Sequence, residues 1–348
     1  MGEFGIGQPV PREEDPYLLR GAGRYVDDVQ AAAQARACVL RSPHAHAEVV
    51  RIDATAARAM PGVLLVLTGN DAQLLRLGTL RPHTPRKRRD GTAAFTSSQP
   101  FLARERVRYL GDPVAFVVAE TLEQAKDAAD AIAVDYDVLP AVPTTADAIA
   151  PNAGAVWEGC PDNQAFTHAA GDKAAVAKSM PAAAHVIRHR MVINRLTANS
   201  MEPRGCIAEY AAREARYTLR CTVQGPHMIR RIIATEVFGV AETQFRIIAE
   251  NVGGGFGMKG GLYPEYVLAA LAARLVGRPV KWMPSAAKGC SRTNTAATIS
   301  RRPNSGSTAT AGSWRFRCAA SAISAPTIRR TAMPARPPTT SACWRAPM

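Results

Sequence analysis

The residues best placed to do chemistry cluster in Asn251-Val-Gly-Gly-Gly-Phe-Gly-Met-Lys-Gly-Gly261. An apolar, strand-like run from Phe245 to Val252 leads into this stretch. A helical pattern from Tyr266 to Val276 leads out, with Pro264 near its first turn and Gly277 just past its end. Strand, glycine turn and helix start leave backbone N–H groups unpaired, and such a turn can hold an anionic cofactor or a phosphate. A tight turn whose glycines only permit φ > 0 and close packing would use the same residues. Gly255-x-Gly257-x-x-Gly260 matches the dinucleotide fingerprint by spacing. That fingerprint also asks for an acidic residue about 20 positions on, and the next strand-like run, Pro279 to Met283, ends in Pro284 with no carboxylate. Lys259 is followed by Gly260 rather than Ser or Thr, which makes a Walker loop a poor match. Phe256 sets the stretch apart, because a loop built only for flexibility has no use for an apolar ring.

Other chemistry-bearing residues are sparser. Ser42-Pro-His-Ala-His46 carries two His at i, i+2, which share a strand face and could ligate a metal. No third ligand lies nearby in sequence, so a polar turn is the expected reading and no metal site is expected. The seven cysteines (38, 160, 206, 221, 290, 318, 343) form no C-x-x-C pair and no zinc or iron–sulfur spacing. An odd number of scattered thiols fits a reducing cytoplasm. Electrons from any redox reaction would then leave through a group this chain does not ligate with cysteine. The first residues show no basic-then-apolar signal pattern, and Met1-Gly2 lacks the Ser or Thr of a myristoylation signal. No apolar run approaches the roughly 18 residues that span a bilayer. A cytoplasmic protein without a membrane span is expected.

The elements that must position these residues follow from pattern. With 348 residues, 47% hydrophobic and 21% charged, the chain reads as globular with two domains. The fold class is α+β, with mixed α/β elements. Residues 1–15 form an N-terminal segment. Residues 16–145 alternate strands (Ala35–Arg41, Val63–Thr68, a strand–turn–strand pair over Val107–Ala119, and Ile132–Tyr136) with helices (Asp53–Met60, Leu122–Ala131) in one α/β unit. Residues 146–163 are Pro/Gly-rich and read as a linker. Residues 164–283 open with a long strand pattern, Ala184–Ile193. Antiparallel strands Cys206–Tyr210 and Tyr217–Val223, a helix Met228–Phe238 and the glycine stretch follow. The basic loop within Arg76–Thr96 reads as a solvated excursion.

Seven stretches together resemble the large, molybdopterin-binding subunit of the xanthine dehydrogenase, aldehyde oxidase and aerobic carbon monoxide dehydrogenase family. They are most similar to its bacterial carbon monoxide dehydrogenase-like branch. The stretches are Gly21-Ala-Gly-Arg-Tyr-Val-Asp-Asp28, Ser42-Pro-His-Ala-His46, Arg108-Tyr-Leu-Gly-Asp-Pro-Val-Ala115, Met201-Glu-Pro-Arg204, Gln224-Gly-Pro-His227, Val252-Gly-Gly-Gly-Phe-Gly257 and Gly277-Arg-Pro-Val-Lys-Trp282. They stand in the family's order and cover roughly residues 7–283. The resemblance implies that residues 16–145 are an α/β hammerhead domain and residues 164–283 the first part of a molybdopterin-binding domain. It implies a molybdenum–molybdopterin cofactor in the cytosine dinucleotide form, with Gln224 beside the metal and Gly254, Gly255, Phe256 and Gly257 close to metal and pterin. It further implies a small-molecule substrate, either an aldehyde- or heterocycle-type compound receiving a water-derived oxygen, or carbon monoxide. Partner iron–sulfur and FAD subunits are implied as the electron route. Xanthine-type members carry a Glu directly after the loop Lys, where this chain has Gly260, so a purine substrate is not expected.

The net charge of +14 belongs mostly to one end. Residues 284–348 hold nine Arg, one Lys and no acid, which is +10 and leaves 14 − 10 = +4 for the first 283 residues. Of those 65 residues 48 are Ala, Ser, Thr, Pro or Arg, the composition of a disordered tail. A one-base frame change explains the composition as well: shifted upstream, the codons of residues 293–298 permit Asp-Glu-His-Gly-Arg-Asp, which is like what the family carries there. On that expectation the tail is out of frame, the family's general-base Glu lies beyond residue 348, no catalytic residue is present, the half cradle binds the cofactor incompletely or not at all, and the chain is inactive alone. The reading from another class is an α/β binding module whose basic arm contacts nucleic acid. Because the charge sits in the tail and not the body, nucleic acid is not the expected partner.

Overall fold

The computed structural model describes residues 11–82, 86–88, 90–166, 171–188, 191–193, 198–284, 299–307 and 314–321. The first unit is built on six strands: β1 (Ala35–Arg41), β2 (Ala47–Asp53), β3 (Val63–Thr68), β4 (Arg106–Val107), β5 (Pro113–Ala119) and β6 (Ala133–Val138). β1 buries alternate residues, Ala35, Ala37 and Val39, as a strand with one face on a core does. β5 is buried at every position, which is why PVAFVVA reads as an unbroken apolar run and not as an alternation. The helix Leu122–Asp130 starts where Thr121 and Gln124 cap each other reciprocally (3.2 and 3.0 Å). It lays Ala125, Ala128 and Ala129 in the core shared with β5. β4, β2 and β6 form a separate antiparallel sheet.

Further on, the strand expected over Ala184–Ile193 is described as β7 (His185–Arg188) and β8 (Met191–Ile193), which pair with one partner strand in the same register (Arg188↔Asn304, Met191↔Arg301), and residues 189–190 lie outside the described residues. β9 (Cys206–Ala211) and β10 (Arg216–Cys221) pair antiparallel, turning at Ala215 with φ +48. The chain then runs as an α-helix over Pro226–Arg231 and in π geometry over Ile232–Phe238, ending at a left-handed Gly239. It returns as β11 (Phe245–Ile248), parallel to β10. Parallel neighbours need a crossover, and this helix is that crossover. The glycine stretch, the helix Pro264–Val276 and β12 (Val280–Trp282) complete the unit.

Seven strands form one sheet in the order β11-β10-β9-β12-β1-β5-β3. β12 joins the two sequence units, pairing antiparallel with β9 and parallel with β1 (Ala35↔Val280, Ala37↔Trp282). The helix Pro264–Val276 packs on β9, β10 and β12, and Pro264 to Ala273 are all buried. Ala at 269, 270, 272 and 273 keeps that helix thin enough to sit close to the sheet. At the β11 end Tyr217 stacks on Phe245 at 4.4 Å, with Phe238 tilted against both.

Two stretches differ from their composition. The 146–163 linker is pinned to the first unit. Buried Asn163 accepts the Val156 N–H (2.8 Å) and donates to the Ala148 and Gly154 carbonyls (3.1 and 2.9 Å). The Arg108 guanidinium lies 4.2 Å over the Trp157 ring. In the tail, expected to be disordered, β13 (Ile299–Ser307) and β14 (Trp314–Ser321) form an antiparallel pair, and β13 also pairs with β7 and β8. Backbone ladders need no hydrophobic period, so side-chain pattern gave no sign of these strands. Residues 285–298, 308–313 and 322–348, and with them the rest of the tail expectation, lie outside the described residues.

Candidate functional site

All five residues singled out by glycine spacing and resemblance come together. Gln224 follows β10, and its N–H donates to the Lys259 carbonyl (3.0 Å) while its side-chain oxygen accepts the Lys259 N–H (3.2 Å). This clamps the glycine turn onto the end of β10. The Gln224 side chain lies directly over Gly255, where an added Cβ would stand 2.6 Å from Cδ and 2.8 Å from Cγ. A larger residue there would have to push the Gln224 side chain out of this position. Gly254 (φ +93), Phe256 (φ +48) and Gly257 (φ +82) all take left-handed backbone. For Phe256 that conformation is strained, and the ring is 74% exposed instead of tucked into a core.

The hydrogen bonds of the turn leave a donor surface. The Gly253 N–H goes to Glu202, that of Gly254 to the Val252 carbonyl and that of Met258 to the Gly255 carbonyl. The N–H groups of Gly255, Phe256 and Gly257, and the Gln224 amide nitrogen, have no partner among the described residues. A Cβ on Gly257 would meet open space. Consecutive backbone donors beside a primary amide suit oxygen-rich, anionic groups.

Two buried charge clusters hold this surface in place. Lys259, 1% exposed, donates through Nζ to the Glu202 carbonyl (2.8 Å) and carboxylate (3.1 Å). Burial lowers the Lys259 pKa, and Glu202 opposes that effect. The same carboxylate accepts the Gly253 N–H (2.8 Å) and the Val26 N–H (3.4 Å), so one side chain ties the loop to the turn at Val26–Asp28. An added Cβ at Gly253 would stand 2.5 Å from the Glu202 Cβ, which shows how closely these segments approach. In the second cluster Glu265, at the start of the helix leaving the glycine stretch, is bonded by Arg41 of β1 and by Arg204 (3.3 Å). Arg204 also lies 3.6 Å over the Tyr263 ring. Burial alone would raise the Glu265 pKa, but the two guanidiniums hold it at about 2.

Glycine spacing does not reveal Glu202, Lys259, Arg41, Arg204 or Glu265 as a unit. The available signal is charged residues inside otherwise apolar, buried stretches: GluPro-Arg before β9, Lys259 among glycines, Glu265 opening an alanine-rich helix. The two histidines sit at the turn between β1 and β2. His46 is buried with Nδ1 donating to the Pro140 carbonyl (2.9 Å), and His44 packs edge-on to Tyr136 at 5.0 Å. Among the described residues no group of three or more His, Cys, Asp or Glu is arranged to hold a metal, and no helix is long and apolar enough to cross a membrane.

Comparison with known proteins matches the sequence to two family models. An "Aldehyde oxidase and xanthine dehydrogenase, a/b hammerhead domain" covers residues 20–140. A "Molybdopterin cofactor-binding domain" covers residues 156–309. The nicotine 6-hydroxylase large subunit of Paenarthrobacter nicotinovorans is 37% identical over 281 residues, 80% of this chain and 33% of that protein. The carbon monoxide dehydrogenase large chain of Hydrogenophaga pseudoflava is 34% identical over 293 residues, 81% of this chain and 35% of that one. Among solved structures, quinoline 2-oxidoreductase from Pseudomonas putida 86 superposes with a TM-score of 0.78 at 32% identity, over 86% of this chain and 37% of that chain. The chain thus spans about a third of the length of the curated relatives it matches.

Proposed function

This chain belongs to the aldehyde oxidase and xanthine dehydrogenase family, and from that premise we propose that Gln224 and Gly254–Gly257 form part of the molybdopterin cradle in the large subunit of a molybdenum-containing oxidoreductase. The observation that carries this reading is the run of unpartnered N–H groups at Gly255, Phe256 and Gly257 beside the Gln224 amide. A Cβ at Gly255 would drive into Gln224 and spoil both. The residues therefore fit a group rich in oxygen acceptors. When bound, a molybdenum–molybdopterin group, on this reading in its cytosine dinucleotide form, supplies the two-electron redox centre.

The chain's own residues bind and orient. The Gln224 amide donates a hydrogen bond at a fixed height above Gly255. The three backbone N–H groups hold acceptor oxygens. Phe256, strained and exposed, offers its ring as an apolar contact to the bound group. Glu202 does not act as general base, because its carboxylate is already engaged by Lys259, Gly253 and Val26. The base that moves the proton comes from outside the described residues. The substrate class is a small aldehyde or heterocycle, or carbon monoxide. Electrons pass on to iron–sulfur and FAD subunits in the cytoplasm. We also read residues 284–348 as one base out of frame, which sequencing through codons 284–292 checks.

The test is cofactor retention by the whole chain. The 348-residue protein is purified from a host that makes the molybdenum cofactor, beside Gly255→Ala and Gln224→Ala. Molybdenum is measured by mass spectrometry and pterin by the fluorescence of its oxidised form. Both are expected in substoichiometric amount, and both fall in the variants while circular dichroism stays unchanged. No dye reduction is expected from the chain alone. Absence of pterin from the unaltered chain, or equal pterin in all three proteins, would refute the assignment.

A further inference from the structure

A groove of about 370 Å³ runs along the β11 edge of the seven-stranded sheet, apart from the residues of the glycine turn. Its lining includes β11 itself, the Pro226–Arg230 stretch of the crossover helix, and Arg216 at the start of β10. β11 is the last strand in the order, and among the described residues no strand pairs with its outer side. An open strand edge presents N–H and C=O groups that accept a further strand.

The groove is basic on both sides of that edge. Tyr217 and Phe245 are register partners and both face the core, so Arg216 and Arg246, each one position away, fall on the opposite face. Both are exposed, and neither has an ion-pair partner among the described residues. Arg230, on the helix side, shares Glu242 (3.2 Å), and His227 is exposed beside it. Glu250, beyond the end of β11, is already held by Arg220 and by Arg24 (3.7 Å). The lining holds three arginines and no carboxylate, and with only Arg230 paired among the described residues it keeps a surplus of positive charge. A second copy of this chain would bring the same charge and be repelled. A free phosphate would answer the arginines and leave the strand edge unpaired. An extended peptide bearing carboxylates on both of its faces satisfies both.

We propose that this groove docks an extended acidic segment of a partner polypeptide, which adds as a strand along β11 with carboxylates on Arg216 and Arg246 on one face and Arg230 on the other. The site is distinct from the cofactor cradle and does not depend on it.

The experiment uses the full chain and a fluorescein-labelled decapeptide of the repeat Val-Val-Glu-Glu, which places carboxylates on both faces of an extended strand, followed by fluorescence anisotropy. A second peptide carries the same side chains with alternate amides N-methylated, which removes strand donors and keeps the charge. Saturable binding is expected, at least about tenfold weaker for the double variant Arg216→Glu/Arg246→Glu, and weaker by a similar factor for the N-methylated peptide. Inorganic phosphate should compete poorly. Equal binding of the two peptides would show a charge surface only and overturn strand addition. Unchanged binding to the double variant would place the peptide elsewhere, for instance on the arginine-rich residues 284–348, and overturn the groove. Failure to saturate by about 1 mM, the weak end of specific binding, would overturn the proposal outright. The two-peptide comparison needs no variant, so it stands whether or not the double variant folds.

Discussion

Substituting Glu265→Gln should destabilise the chain by about 3 kcal/mol at pH 7, and the size of the effect should depend on pH. The carboxylate is buried, with 2% of its side chain exposed, and it is bonded by Arg41 and Arg204, themselves 6% and 3% exposed. Burial acts to raise its pKa, yet the guanidiniums bring it from 4.5 to about 2. The difference, 4.5 − 2 = 2.5, converts at about 1.36 kcal/mol each to about 3 kcal/mol. That agrees with the roughly 3–5 kcal/mol lost when one partner of a buried ion pair is removed. The sign follows from a folded value below the unfolded one: the contribution is fully present above pH 4.5 and is lost as pH falls toward 2. Urea unfolding of both proteins from pH 7 to 3.5 reads this directly. The gap should be constant from pH 7 to about 5 and shrink by about 1 kcal/mol by pH 3.5. A gap under about 1 kcal/mol at pH 7, or one that does not move with pH, would mean that the cluster does not hold the helix start as its geometry implies.

Asp112 should behave oppositely. Burial raises its pKa from 3.8 to about 6, with the Arg108 N–H opposing, so its contribution is full below pH 3.8 and is lost as pH rises through 6. Asp112→Asn should raise the midpoint of thermal unfolding at pH 7, by at most about 3 kcal/mol in stability, and flatten its pH dependence between 4 and 7; an unchanged slope would refute this. Lys259→Met leaves the Glu202 carboxylate buried without its cation, and urea unfolding should show a loss of about 3–5 kcal/mol together with loss of bound pterin. Phe256→Ala should leave stability within about 0.5 kcal/mol, because the ring is 74% exposed, while pterin retention falls; a large drop in the unfolding midpoint would show that the ring is structural.

Local elements were legible because their signals are local. The β1 and β3 strands fall on the runs expected of them, and the helix at Pro264–Val276 starts and stops at its proline and at Gly277. The glycine turn was legible for the same reason, as left-handed backbone at residues 254 and 257 needs glycine. Tertiary structure decided the rest. That β12 lies between β9 and β1, and so joins two sequence units in one sheet, depends on pairing across more than 240 residues. No periodicity encodes that choice. The same holds for Glu265, whose meaning rests on Arg41, 224 positions away in sequence, and for Glu202 and Lys259, 57 positions apart. A sequence states that a buried charge is present, and only the fold states which opposite charge compensates it. The groove along β11 is the converse case: its arginines are ordinary in sequence and become a surface because the sheet order ends at that strand.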